Sequence, residues 1–270
     1  MANPFLDINT YIADGEPHVF GDRVYLFGSH DIAGGNTYCM LDYTFPSAPL
    51  DDLENWTSRG ISYRAEQDPQ YGDILKYMYA PDVVQGNDGR FYLYYCMSGE
   101  KGVGGYGQKI SVAVCDTPDG QYEYYGFVRN PDKTPMLKYV TFDPAVINDE
   151  GTIRLYYGAW YPFDESVPLL RPVFYRIESN MFGKNIDEIK AYQDGIMGAN
   201  HVILGDDMLT IKSEPCHIMP NKVKGTDFEK HPFFEASSIR KIGSQYYAMP
   251  QAVILIEIFD TEESLYQMAI

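Results

Sequence analysis

Apolar and polar residues alternate in short runs along most of the chain, and turns containing glycine break the runs, which is the period-two signature of half-buried strands. Four segments repeat one plan: DGEPHVFGDRVYLFG from Asp14, DVVQGNDGRFYLYY from Asp82, DPAVINDEGTIRLYY from Asp143 and EASSIRKIGSQYYAM from Glu235. Each opens on an acid, runs to a glycine (Gly21, Gly89, Gly151 or Gly243) and returns through tyrosine and aliphatic residues, predicting a tight β-hairpin. Further strands fit between the hairpins, such as Lys109 to Asp116 followed by the turn TPDG and the run QYEYYG. Long amphipathic helical patterns are hard to find. The repeats recur at roughly 60–90 residues, the size of a four-stranded blade with its loops, so the expected fold is all-β and the expected architecture a β-propeller. The longest interval, between Asp143 and Glu235, is expected to carry an inserted loop.

Equivalent strands of a propeller start at one end of its central channel, so the acids that head them are expected to converge there from different blades. Carboxylates crowded together raise one another's pKa and can divide into one that stays ionised and one that stays protonated. Glu235 stands out because Phe233 and Phe234 precede it. A carboxyl packed against phenylalanines loses solvation, which favours its neutral form, the form a proton donor needs near neutral pH. The alternatives are a solvated acid at a strand start, or acids that hold a cation.

Composition narrows the function. With 21 Lys+Arg against 38 Asp+Glu, the net charge of −17 repels phosphate backbones and anionic lipid surfaces, which argues against nucleic-acid and membrane partners. Aromatic residues make up 15% of the chain, with 24 Tyr and 2 Trp, and such rings suit both strand packing and stacking on the flat faces of sugars. Cys39, Cys96, Cys115 and Cys216 lie far apart with no metal-type spacing and are expected to be free thiols. The first residues lack a basic and apolar leader pattern, and no run is long enough to span a membrane, so a cytoplasmic location is expected.

Taken together, Tyr11–Asp31 (YIADGEPHVFGDRVYLFGSHD), Tyr77–Val84 (YMYAPDVV), Thr141–Val146 (TFDPAV) and His231–Lys241 (HPFFEASSIRK) resemble glycoside hydrolase family 43, five-bladed propeller enzymes that include β-xylosidases, α-L-arabinofuranosidases and arabinanases. The resemblance implies an inverting glycosidase that releases terminal xylose or arabinofuranose from plant cell-wall xylo- and arabino-oligosaccharides, with broad specificity. By position, it implies Asp14 as the general base that activates water, Glu235 as the general acid, and Asp143 as the acid that orients Glu235 and raises its pKa. Inversion places the base and the acid roughly 6.5–9.5 Å apart. His30, Asp31, Tyr79, Asp82 and Trp160 are expected to line the sugar pocket, with a satisfied histidine and a blade-packing tryptophan as the alternatives for His30 and Trp160.

The chain departs from the family after Tyr247. The tail AMPQAVILIEIFDTEESLYQMAI lacks Gly-turn hairpins, so residues 1–270 are expected to form one propeller domain, incomplete in its last blades, with an atypical tail at 248–270 in which VILIEIF forms a strand and TEESLYQMA a helix. An open propeller exposes strand edges, and a homo-oligomer that completes the ring is the expected remedy. No cofactor is required by the proposed chemistry. The family's channel ion, often calcium, is associated with a fifth-blade histidine, and no such histidine is found here. Two other readings stand beside the inverting enzyme. One is a catalytically weak or inactive carbohydrate-binding propeller; the other is a retaining fructosidase, whose usual Asn-Asp-Pro-Asn-Gly opening is absent.

Overall fold

In the computed structural model, residues 5–7, 9–160, 168–192, 195–219, 225, 229 and 233–252 are described. Their strands form five sheets that group into four blades. The first blade pairs β1 (Tyr11–Phe20) with β2 (Arg23–Asp31) and continues through the short strands β3 (Tyr43–Thr44), β4 (Ser47–Pro49) and β5 (Ile61–Tyr63). The second is a four-stranded antiparallel meander of β6 (Tyr77–Gln85), β7 (Phe91–Ser98), β8 (Ser111–Cys115) and β9 (Glu123–Phe127). The third contains β10 (Ala145–Asp149), β11 (Thr152–Ala159), β12 (Gly198–Leu204) and β13 (Cys216–Met219), and the fourth the hairpin of β14 (Phe233–Ile242) and β15 (Gln245–Ala252).

The repeat corresponds to the hairpin opening each blade: β1–β2, β6–β7, β10–β11 and β14–β15 all pair antiparallel. Their turns place Gly21, Gly89, Gly151 and Gly243 at φ of 63°, 84°, 91° and 63°, the left-handed region that glycine enters without a Cβ clash. The interval before the fourth blade holds helices as well as the expected loop: α1 (Arg171–Phe182) ends on Gly183 at φ 64°, and α2 (Ile186–Ala191) starts from Asn185, whose side chain accepts a hydrogen bond from Glu188 N–H. The proposed VILIEIF strand and TEESLYQMA helix lie outside the described residues.

The core accounts for the excess of tyrosine. Tyr43, Tyr63, Tyr94, Tyr95, Tyr122 and Tyr157 are among the largest fully buried side chains. Several hydroxyls find partners inside: Tyr95 donates to Asp68 at 2.6 Å, Tyr94 to the Met208 carbonyl at 2.7 Å and Tyr157 to the Lys138 carbonyl at 3.1 Å. A phenol can therefore fill apolar space between blades without burying an unsatisfied hydroxyl.

Polar links join successive inner strands. Ser29 accepts the Ala80 N–H at 2.8 Å between the first and second blades, and Asp82 accepts the Val146 N–H at 2.7 Å between the second and third. Asp149 receives Lys241, Tyr246 and Arg154, joining the third blade to the fourth. Arg240 donates to Glu16 at 2.7 Å and to the Pro17 carbonyl at 2.9 Å, joining the fourth blade to the first.

Candidate active site

The inner strands break their ladders where the acids sit. On β1 the register shifts between Ala13 and Glu16, and Asp14 takes a φ of 53°. On β6 the shift falls between Tyr79 and Asp82, with Ala80 at 36°; Asp143, just before β10, lies at 46°. Glu235 sits between two register shifts of β14. Such bulges re-aim a side chain out of the pleat. They also correct one sequence assignment. The residue of the second blade in the position of Asp14 and Asp143 is Ala80, whereas Asp82 stands two residues further on, in the position of Glu16.

Asp14, Asp143 and Glu235 line one cavity of about 410 Å³, together with Ala13, Asp31, Tyr38, Cys39, Tyr79, Tyr106, Phe142 and Phe234. The volume falls within the range of ligand sites, roughly 300–1,000 Å³. Asp143 is 5% exposed, and Phe142, at 3%, packs edge-on against Tyr106 with ring centroids 4.7 Å apart. Phe234 lines the cavity, while Phe233 is fully buried beneath it in the core.

Burial raises the Glu235 carboxyl to about 7, with a further push from the negative charge of Asp14. The sequence reading expected the like charge to come from Asp143; the neighbouring charge that acts on Glu235 is that of Asp14. Asp14 is itself held through Oδ2, which accepts the Ser29 hydroxyl at 3.0 Å. Because the Ala80 N–H donates to the same Ser29 oxygen, the hydroxyl proton is left to point at Asp14. Beside them, burial pushes the Cys39 thiol far up, and the charges of Asp14, Asp31 and Asp143 add to the effect. Cys39 is thus an inert neutral wall. All four cysteines are free.

The five expected sugar contacts divide. Asp31 and Tyr79 line the cavity, Asp31 also accepting the Cys39 N–H. His30, Asp82 and Trp160 do not. The His30 ring Nδ1 lies 2.9 Å from the Asp42 carbonyl, and Trp160, 4% exposed, belongs to the core while its backbone N–H donates to the Phe234 carbonyl at 2.6 Å. Asp82, 1% exposed, meets His18 Nε2 at 2.6 Å and accepts the N–H groups of Val83 and Val146. The His217 ring packs tilted against Tyr139, with centroids 4.1 Å apart. Tyr38, Cys39, Tyr106, Phe142 and Ser29 were missed. Tyr38 and Tyr106 had a signal in the glycine-rich runs AGGNTYC and GVGGYG, which bend backbone around a cavity.

Among the described residues, Glu16, His18 and Asp82 could offer ligand atoms to a metal, all within 4.8 Å of one another. Calcium takes about six to eight oxygen ligands. Two carboxylates and an imidazole supply few of these, and the Arg240 guanidinium already places positive charge on Glu16. The set does not fit calcium, and no step below passes through a metal.

Asp14, Asp143 and Glu235 are thus brought by three separate blades into one aromatic-walled cavity. The family model for glycosyl hydrolases family 43 matches residues 12–169. A xylosidase/arabinosidase from Thermoclostridium stercorarium is 40% identical over 262 residues, covering 95% of this chain and 48% of that protein. Xylosidase/arabinosidase 43A from Humicola insolens is 27% identical over 88% of this chain and 72% of its own length. Among solved structures, the RS223 β-xylosidase aligns with a TM-score of 0.61 at 24% identity, covering 88% of this chain and 70% of that one. A GH43_1 enzyme from Xanthomonas citri, solved with xylotriose, aligns with a TM-score of 0.62 at 22% identity, covering 88% and 65%. The chain belongs to glycosyl hydrolase family 43, and it spans about half the length of the T. stercorarium relative.

Proposed function

We propose that this chain is an inverting glycosidase that releases terminal xylose or arabinofuranose units from xylo- and arabino-oligosaccharides. The family and the names of its relatives support the substrate class, and the observation that carries the mechanism is the shared chamber, in which Asp14 acts on a Glu235 already raised to about 7 by burial. A carboxyl with that pKa holds its proton through the mildly acidic range and can still give it up to a leaving oxygen near neutrality.

In the proposed reaction, ionised Asp14 takes a proton from water as the water oxygen bonds to the anomeric carbon. The glycosidic carbon–oxygen bond breaks on the opposite face, and Glu235 protonates the departing oxygen. The products are a sugar of inverted configuration and a free hydroxyl on the leaving group, with Asp14 protonated, Glu235 ionised, and both reset by exchange with solvent. The charge of Asp14 raises the pKa of Glu235 beforehand, so the base helps to keep the acid loaded. Asp143 is assigned the orientation of Glu235. Tyr79, Tyr106, Phe142 and Phe234 line the cavity, and walls of this apolar kind discriminate weakly between pentoses, which supports broad specificity.

The outer edge of β15 carries no paired strand among the described residues. Such an edge is where a strand from the rest of the chain or from a second copy would pair; completion of the ring by a homo-oligomer belongs to this proposal.

Hydrolysis of xylobiose and of an arabino-oligosaccharide, whose departing sugar hydroxyls need a proton, tests the assignment. Release by the wild-type protein that falls by about 10²–10⁴ in Glu235→Gln supports it. Unchanged release in that variant removes the role of Glu235, and no release by the folded wild-type protein favours a binding propeller instead. NMR of the first-formed anomer separates the mechanisms, since a retained configuration contradicts Asp14 as a base acting through water.

A further inference from the structure

Tyr38 differs from the rest of the chamber wall. Tyr79, Phe142 and Asp143 are buried to 7%, 3% and 5% exposure, whereas Tyr38 lines the same cavity and leaves 67% of its surface in water. The ring is therefore open to a partner at the cavity mouth. Nor does it hang on a loose tip. Thr37 Oγ1 accepts the Lys101 N–H at 2.9 Å, Asn36 reaches Glu100 at 3.3 Å, and the Cys39 N–H is held by Asp31. Both chain neighbours of Tyr38 are therefore tied, one to the second blade and the other to a cavity acid.

An aromatic side chain held this way has lost much of its backbone freedom before any ligand arrives, so stacking on it costs little further ordering. Exposure decides which part of a substrate it meets. Buried walls enclose the terminal sugar, and a ring at the rim meets what protrudes from the mouth. We propose that Tyr38 is the platform of a second sugar position, stacking on the pyranose ring of the unit that leaves. This inference rests on the glycosidase reading and adds where the leaving-group sugar of a xylo-oligosaccharide is held. Its recognition is apolar and face-on, so it should favour a flat xylopyranose over a small alcohol as the leaving group.

The test is calorimetric titration of xylose and xylobiose into the Glu235→Gln protein, which binds without turning over, with and without Tyr38→Ala or Tyr38→Phe. Because Tyr38 is exposed, these changes are expected to leave the fold intact, checked by an unchanged unfolding midpoint. Tyr38→Ala should weaken xylobiose by about five- to tenfold, the scale of one aromatic stacking contact, and leave xylose within about twofold, while Tyr38→Phe keeps wild-type affinity for both. Equal weakening of the two sugars, or no weakening of xylobiose, overturns the platform. Turnover of xylobiose by the wild-type protein is scored separately. Cleavage with an unmoved affinity ratio removes the platform alone; a shifted ratio without cleavage removes the hydrolase reading and leaves the platform standing. Binding of neither sugar overturns both.

Discussion

The strand β1 carries Asp14 and Glu16 two residues apart, and they belong to different chemical worlds. At the cavity end, Glu235 is raised by burial and by the charge of Asp14. Deeper in the channel, Glu16 is also pushed up, by burial and by Asp82, but Arg240 and Ser238 bond to it and pull it back. At the far ends of the inner strands of blades three and four, the hydrogen bonds of Lys241, Tyr246 and Arg154 hold Asp149 far below the usual carboxylate range. The channel acids take cations or N–H donors from the next blade and knit the ring. The cavity acids lie among aromatic rings and one another. Residue type is the same at both ends; what a blade puts opposite each acid decides whether it stabilises the fold or holds a proton for chemistry.

The sharpest way to break this contrast is to neutralise neighbours on one strand. Asp14→Asn should lower kcat by about 10²–10⁴ with little loss of stability. Glu16→Gln should leave kcat within a few-fold but lower unfolding stability by about 1 kcal/mol, because Arg240 loses its charged partner while the burial cost of the Glu16 carboxylate is relieved. Steady-state kinetics and thermal melts on the same preparations check both. Reversed effects would mean that the two positions have been assigned the wrong way round.

A smaller effect is expected from Ser29→Ala. The hydroxyl donates to Asp14 at 3.0 Å and so favours its ionised form. Without it, the acid limb of kcat/KM should move to higher pH, with KM nearly unchanged. A purely structural role for Ser29 would lower activity at every pH and leave the limb in place.

These contrasts also mark what the chain declared in advance. The four hairpins were legible because each turn needs a glycine at positive φ, and Gly21, Gly89, Gly151 and Gly243 supply it at matching distances from an acid. Asp14, Asp143 and Glu235 were legible for the same reason. Asp82 was misplaced because a repeat aligned on its acids cannot see the bulge that puts Ala80 in register with Asp14. The α1–α2 insertion has its Pro172 and Asn185 start signals, yet α1 exposes Val173 and Leu170 precedes it half in water, so its apolar stripe is weak. The source of the like charge on Glu235, and the gathering of Tyr38 and Tyr106 around it, depend on how loops of different blades meet in space. No local pattern carries that.

The most direct test is a carbon-13 NMR titration of the Glu235 carboxyl, in the wild-type protein and in Asp14→Asn. A Glu235 midpoint near 7 that falls when the Asp14 charge is removed is the predicted result. A midpoint at the ordinary 4.5, or one indifferent to Asp14, would contradict a shared chamber in which the base keeps the acid protonated.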